Sequence, residues 1–329
     1  MLPGELKIFI QEVAPRDGLQ IEPRFIDTDV KVELIDTLSE TGLAKIEVSS
    51  FVSPKAVPKL SDAAEVFKRI SRNPSVRYVA LAPNMRGARA AAEAEADEIN
   101  LVMSASETHN AANMGMTCEQ SLHGFKDIAA EIRDTRIHGT VATAFGCPFE
   151  GEQKPDRVIE FIERYLKLGF KGVTLADTTG MANPRQVFDL VSRVTLEFPG
   201  LELTLHFHNT RGAGLANVLA ALHAGADRFD ASLGGIGGCP FAPGATGNIC
   251  TEDLVHMLNG MGLETGVDLP ALLAASRQLP AILGHDTPGQ VVKAGRSCDL
   301  HAIPESVQNK IKTIGSEQHG TIGAAVSRA

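Results

Sequence analysis

Residues 172–206 read GVTLADTTGMANPRQVFDLVSRVTLEFPGLELTLH. A short apolar run at 172–176 is followed by a turn, then a longer segment at 184–197 with helical spacing, then a second short run at 202–206. The two runs are strand-length and rich in Val, Thr and Leu, whereas the segment between them places apolar residues at the 3.6-residue period. Pro184 stands where a helix start tolerates a residue without an N–H. Strand, helix and strand in this order make the unit of a parallel sheet, because parallel neighbours need a crossover connection.

The same alternation runs through the chain. Strands are expected at 7–13, 45–49, 76–82, 98–103, 137–144, 172–176, 202–206 and 228–233, and helices at 29–41, 61–71, 119–134, 155–168, 184–197 and 212–224. Gly42, Gly169 and Gly225 sit where helix ends favour glycine. Eight such units over about 250 residues are the size of a closed α/β barrel, the TIM (β/α)8 fold. An open doubly wound sheet is the alternative. It loses ground because no GxGxxG lies between the first strand and the first helix. A further helix is expected at 268–283, so the chain divides into a catalytic barrel at 1–265 and a C-terminal helical extension and tail at 266–329.

Composition narrows the function. The 329 residues are 43% hydrophobic, enough for one large core, and the net charge of −9 argues against a nucleic-acid partner. With no Trp and two Tyr there is neither a stacking platform nor a membrane belt, and no apolar run is long enough to span a bilayer. Five scattered cysteines form no CxxC pair, which suits a reducing, cytoplasmic setting.

In a barrel of this kind the chemistry sits at the C-terminal strand ends. Arg16, Asp17, Gly18 and Gln20 follow the first strand, Glu47 ends the second, Asp177 follows the sixth and His206-Phe-His208 ends the seventh. His206 and His208 are two apart in extended backbone, so they share a face. On the pair alone, a divalent-metal clamp and a hydrogen-bonded histidine pair are equal readings. Barrel closure brings strands seven, eight and one together, which adds Asp17 and Asn248 and favours a metal. The mixed nitrogen and oxygen set suits magnesium or manganese. Arg16, in a tight turn, suits stabilisation of an enolate or a carboxylate. Glu47 and Asp177 read as residues that orient Arg16 or a ligand histidine. His109 and Asn110 stand after the fourth strand, within reach of a substrate. His123, His138, His223, His256, His285, His301 and His319 show no clustering.

The stretch 234–248, GGIGGCPFAPGATGN, packs six glycines and two prolines around Cys239. A cysteine is ordinarily a small buried hydrophobe. Glycines this dense point instead to a mobile lid that carries a thiol.

EVAPRDGLQ, KIEVSSFVSPKAVPKL, GCPFEG, LADTTG, HFHNTRG and GGIGGCPFAPGATGNICTEDLVHML together resemble the 3-hydroxy-3-methylglutaryl-CoA lyase family of metal-dependent barrel lyases. The match runs from about residue 12 to residue 266. The resemblance implies that Asp17, His206, His208 and Asn248 bind Mg2+ or Mn2+, that Arg16 stabilises enolate charge, and that Cys239 donates or shuttles a proton. It implies that His206 takes part in proton transfer. Arg16, Gln20, Glu47 and Asp177 are the residues expected on the substrate side of the site. The reaction implied is cleavage of an acyl-CoA to acetyl-CoA and acetoacetate, in a homodimer. The chain departs from the family pattern at Asn209 and Arg211, at Pro23 and Arg24, and over 104–110. Another hydroxyacyl-CoA such as citramalyl-CoA, or a Claisen-type synthase, is the alternative.

Overall fold

The computed structural model describes residues 7–238 and 247–314. Eight parallel strands close into a barrel. They are β1 (Phe9–Glu12), β2 (Lys45–Ser50), β3 (Arg77–Leu81), β4 (Glu98–Ser104), β5 (Arg136–Ala142), β6 (Gly172–Asp177), β7 (Glu202–Phe207) and β8 (Arg228–Ala231). β8 pairs with both β7 and β1, which seals the cylinder. This is the expected TIM barrel.

Alternation along the strands builds the two sides of the wall. Ile10, Ile46, Ile99, Leu101, Val141, Val173, Leu175, Leu203, Leu205 and Phe229 enter the buried apolar core. The residues between them, among them Gln11, Glu47, Glu98, Asn100, His138, Thr174 and Asp230, line a small cavity inside the barrel. Successive side chains in a strand point to opposite faces, so one sequence supplies an apolar coat and a polar lumen.

Helices cover the apolar side. Pro184–Glu197 starts as the sequence suggests, with Pro184 in the first turn and a capping box between Asn183 and Gln186. The expected helix at 268–283 is two helices, Leu269–Ser276 and Leu279–Leu283. Pro280 lies in the first turn of the second, where its missing N–H costs nothing. The first of these packs against the helices Thr251–Gly260 and Thr28–Ser39. The compact unit that contains the barrel reaches Lys293. Residues from Ala294 form a second unit, with helical backbone at 305–314.

At the N-terminal ends of the strands a buried ion network closes the barrel. Lys45 Nζ lies 2.8 Å from Glu98 Oε1 and 2.6 Å from Glu202 Oε1. Arg136 reaches the second oxygen of both glutamates at 2.7 Å, and Arg77 touches both at 3.2 Å. His138 belongs here too. It is 3% exposed on β5, with Nδ1 3.7 Å from Glu98 Oε1, and not the unclustered histidine expected from the sequence. The two-residue strand period carries its ring into the lumen.

Among the described residues no helix is long and apolar enough to cross a membrane.

Candidate active site

The opposite end of the barrel begins with a widened turn. Ala14–Gly18 forms a π-helical turn in which Val13 O accepts from the amides of Arg16 (3.1 Å), Asp17 (2.7 Å) and Gly18 (3.4 Å). Single π-turns are rare and favour functional sites. Gly18 is needed there, because a Cβ would meet Ile236 Cγ1 at 2.5 Å. Arg16 donates through Nε to Glu47 Oε2 and through Nη1 to Asp17 Oδ1, both at 2.5 Å. Glu47 Oε1 accepts from Asn100 Nδ2 at 3.0 Å. The guanidinium is thereby held between two carboxylates.

Asp17 Oδ2 accepts from Asn248 Nδ2 at 2.7 Å, across 231 residues of sequence. Backbone pairing delivers that asparagine. Asn248 forms a bridge with His208, and Ile249 N donates to Phe207 O at 3.1 Å. Gly237, at φ +111, allows the loop to approach, since a Cβ would lie 2.5 Å from Asn248 Nδ2 and 3.1 Å from Asp17 Oδ2. The Nε2 atoms of His206 and His208 face each other at 3.1 Å. One ligand atom each from Asp17, His206 and His208 lie within 4.8 Å of one another, so these three residues can hold a metal ion.

The donor set also passes a second test. Asn248 Oδ1 is buried and has no hydrogen-bond partner among the described residues. A buried acceptor left unmade costs about 1–3 kcal/mol. A hard or borderline cation would satisfy the amide oxygen beside the carboxylate and the two imidazoles.

Charge follows from burial and neighbours. Burial raises the Asp17 carboxyl, but Arg16, His206, His208 and the Asn248 hydrogen bond outweigh it and bring it down to about 2. Burial pushes His208 down to about 3. His206 is also pulled down by burial, yet Asp230 and Asp17 raise it above the ordinary value. At neutral pH the site therefore offers a carboxylate and a neutral imidazole.

The other expected residues divide. Asp177 is fully buried; its Oδ1 accepts from Met181 N (2.8 Å) and Ala182 N (3.0 Å), and burial pushes it up to about 6. Gln20 ends the turn, half-buried, and joins none of these hydrogen bonds. His109 and Asn110 are buried and bond to Ser104, through its Oγ at 2.6 Å and its N at 2.9 Å, so they brace the end of β4. Cys239 lies outside the described residues.

The sequence reading missed Asp230. It stands beside His206 in the β7–β8 register, and its Oδ2 lies 3.2 Å from His206 Nδ1. Its signal was present: a lone acid inside an otherwise apolar strand run.

The HMGL-like family model matches residues 7–279. The chain belongs to the HMGL-like family. The chain is 59% identical to an HMG-CoA lyase structure from Acinetobacter baumannii in complex with coenzyme A and 3-methylmalate, with a TM-score of 0.89 over 91% of this chain and 98% of that one. It is 42% identical to hydroxymethylglutaryl-CoA lyase of Bacillus subtilis, over 90% of this chain and all of the relative. It is 45% identical to (R)-citramalyl-CoA lyase of Chloroflexus aurantiacus, over 88% of this chain and 95% of that one. The arrangement of this HMGL-like site, a guanidinium beside a metal-competent cluster, suits chemistry in which negative charge develops on a substrate oxygen.

Proposed function

We propose that this chain is a carbon–carbon lyase that cleaves a 3-hydroxy-3-methylglutaryl-CoA-like thioester to acetyl-CoA and acetoacetate. The observation that carries the proposal is the meeting of Asp17, His206, His208 and Asn248 beside Arg16, in a chain that belongs to the HMGL-like family. Asp17, His206, His208 and Asn248 are the proposed ligands of Mg2+ or Mn2+. When bound, the cation supplies Lewis-acid polarisation of substrate oxygens.

The remaining steps belong to the chain. Asp17, whose carboxylate keeps lone pairs while it ligates, takes the proton of the tertiary alcohol. The bond between C2 and C3 of the acyl chain breaks, with its electron pair moving into the thioester enolate as the alcohol carbon becomes the ketone of acetoacetate. Arg16, pinned by Glu47 and Asp17, stabilises the enolate oxygen. Cys239 delivers a proton to the enolate carbon, which completes acetyl-CoA. Gln20 and Glu47 complete the substrate surface, and the fully buried Asp177 supports it from behind by holding the amides of Met181 and Ala182. The barrel at 1–265 carries this chemistry, and the helices Leu269–Ser276 and Leu279–Leu283 belong to the same compact unit. The resemblance extends the proposal to a homodimer. Among the described residues Cys118, Cys147, Cys250 and Cys298 are free thiols, which accords with a cytoplasmic location.

Citramalyl-CoA is the second reading, favoured by the 45% identity to a lyase named for it and by 3-methylmalate in the Acinetobacter relative. A panel of hydroxyacyl-CoA thioesters, assayed for acetyl-CoA release with Mg2+ and with Mn2+, separates the two. Highest kcat/KM on the hydroxymethylglutaryl thioester supports the first. Highest kcat/KM on citramalyl-CoA transfers the assignment. Condensation without cleavage would identify a synthase.

A further inference from the structure

The two histidines at the end of β7 are not equivalent. His206 Nδ1 faces the Asp230 carboxylate at 3.2 Å, while His208 Nδ1 is buried with no hydrogen-bond partner among the described residues. The parallel register sets Asp230 of β8 directly beside His206 of β7. Both residues ride on barrel strands, so their separation is fixed by the sheet and not by a loop. A carboxylate at Nδ1 selects the tautomer with the proton on that nitrogen, which leaves the Nε2 lone pair free. His206 Nε2 is the atom that faces His208 Nε2 at 3.1 Å. Asp230 itself is not in the Asp17–His206–His208 ligand group.

We propose that Asp230 is a positioning residue that fixes the tautomer and ring orientation of His206, so that Nε2 is presented to the cation as a ready ligand. His208, which has no such backing group among the described residues, is the adaptable ligand of the pair. The inference rests on the metal reading above.

The test uses the full-length protein and Mn2+ alone, with free Mn2+ followed by electron paramagnetic resonance. Asp230→Ala is expected to weaken Mn2+ binding by roughly 10–100-fold. Asp230→Asn, which keeps an acceptor oxygen but loses the charge, is expected to lose less. Imidazole nitrogen NMR of the metal-free protein is the readout that a merely structural role would not move. His206 should be protonated at Nδ1 in the wild type and shift toward a tautomer mixture in Asp230→Ala. Wild-type Mn2+ affinity together with an unchanged His206 tautomer in Asp230→Ala overturns the proposal. Should Asp230→Ala fail to fold, Asp230→Asn decides: reduced affinity supports the proposal and wild-type affinity overturns it. If the wild type itself binds no Mn2+, the metal reading fails instead, and the NMR tautomer still decides whether Asp230 orients His206.

Discussion

Each end of the barrel lumen carries a cluster of acids and histidine, and the two are built to opposite ends. At the N-terminal pole, all four carboxylate oxygens of Glu98 and Glu202 meet a cation from Lys45, Arg77 or Arg136. At the C-terminal pole, Asp17, His206 and His208 stand close enough to share an ion, and Asn248 Oδ1 and His208 Nδ1 have no partner among the described residues. Both groups bring acid and histidine atoms within metal-binding distance. Their surroundings differ: Lys45, Arg77 and Arg136 occupy every carboxylate oxygen of the first group, whereas the second keeps an unmade amide oxygen at Asn248. Proximity of acids and histidines therefore does not define a metal site, and neither does a spare imidazole nitrogen, since His138 Nδ1 also lacks a hydrogen bond among the described residues; the C-terminal group differs by Asn248 Oδ1, an unmade oxygen beside the carboxylate.

The contrast breaks most visibly with His208→Ala. That variant should lose divalent-metal binding, measured by equilibrium dialysis, and turnover should fall roughly a thousandfold, as expected when several kcal/mol of Lewis-acid stabilisation is removed. Normal metal content would remove His208 from the ligand set. Arg16→Lys should lower kcat by roughly 100-fold with KM little changed, because an ammonium cannot reproduce the forked contacts to Glu47 and Asp17. A rise in KM alone would make Arg16 a binding residue.

Lys45→Met probes the other pole. It should cost about 3 kcal/mol of stability by thermal unfolding, since it leaves buried glutamates short of a cation, while kcat stays near wild type. A large loss of kcat with unchanged stability would show that the two poles are coupled. The smallest expected effect is in pH. Burial works against charge on Glu98, but His138, Lys45 and Arg77 outweigh it and lower its carboxyl from 4.5 to about 2. The stability it contributes is complete above pH 4.5 and is lost as pH falls toward 2. Glu98→Gln should flatten the unfolding curve across that window. An unchanged acid limb would mean that other carboxylates set it.

The strands were legible because each is a short run of Val, Ile and Leu between helix-length segments, and barrel closure follows from their number. Asp17, His206, His208 and Asn248 were legible because they fall at strand ends and because the glycine-dense stretch marks a close approach, realised at Gly237. Asp230 was hidden by its neighbours: Phe229 and Ala231 make the segment look like plain core, and only register shows that it faces His206. The N-terminal network was hidden for a related reason. Lys45, Arg77, Glu98, Arg136 and Glu202 each open a strand, where a lone charge reads as a solvated strand start. Closure of the cylinder turns those starts inward and makes them neighbours.

Anomalous diffraction from crystals grown with Mn2+ tests the claim most directly. One peak is expected among Asp17, His206, His208 and Asn248, with none at Glu98, His138 and Glu202. A peak at the N-terminal cluster, or no peak at the barrel mouth, would contradict the assignment of the two poles.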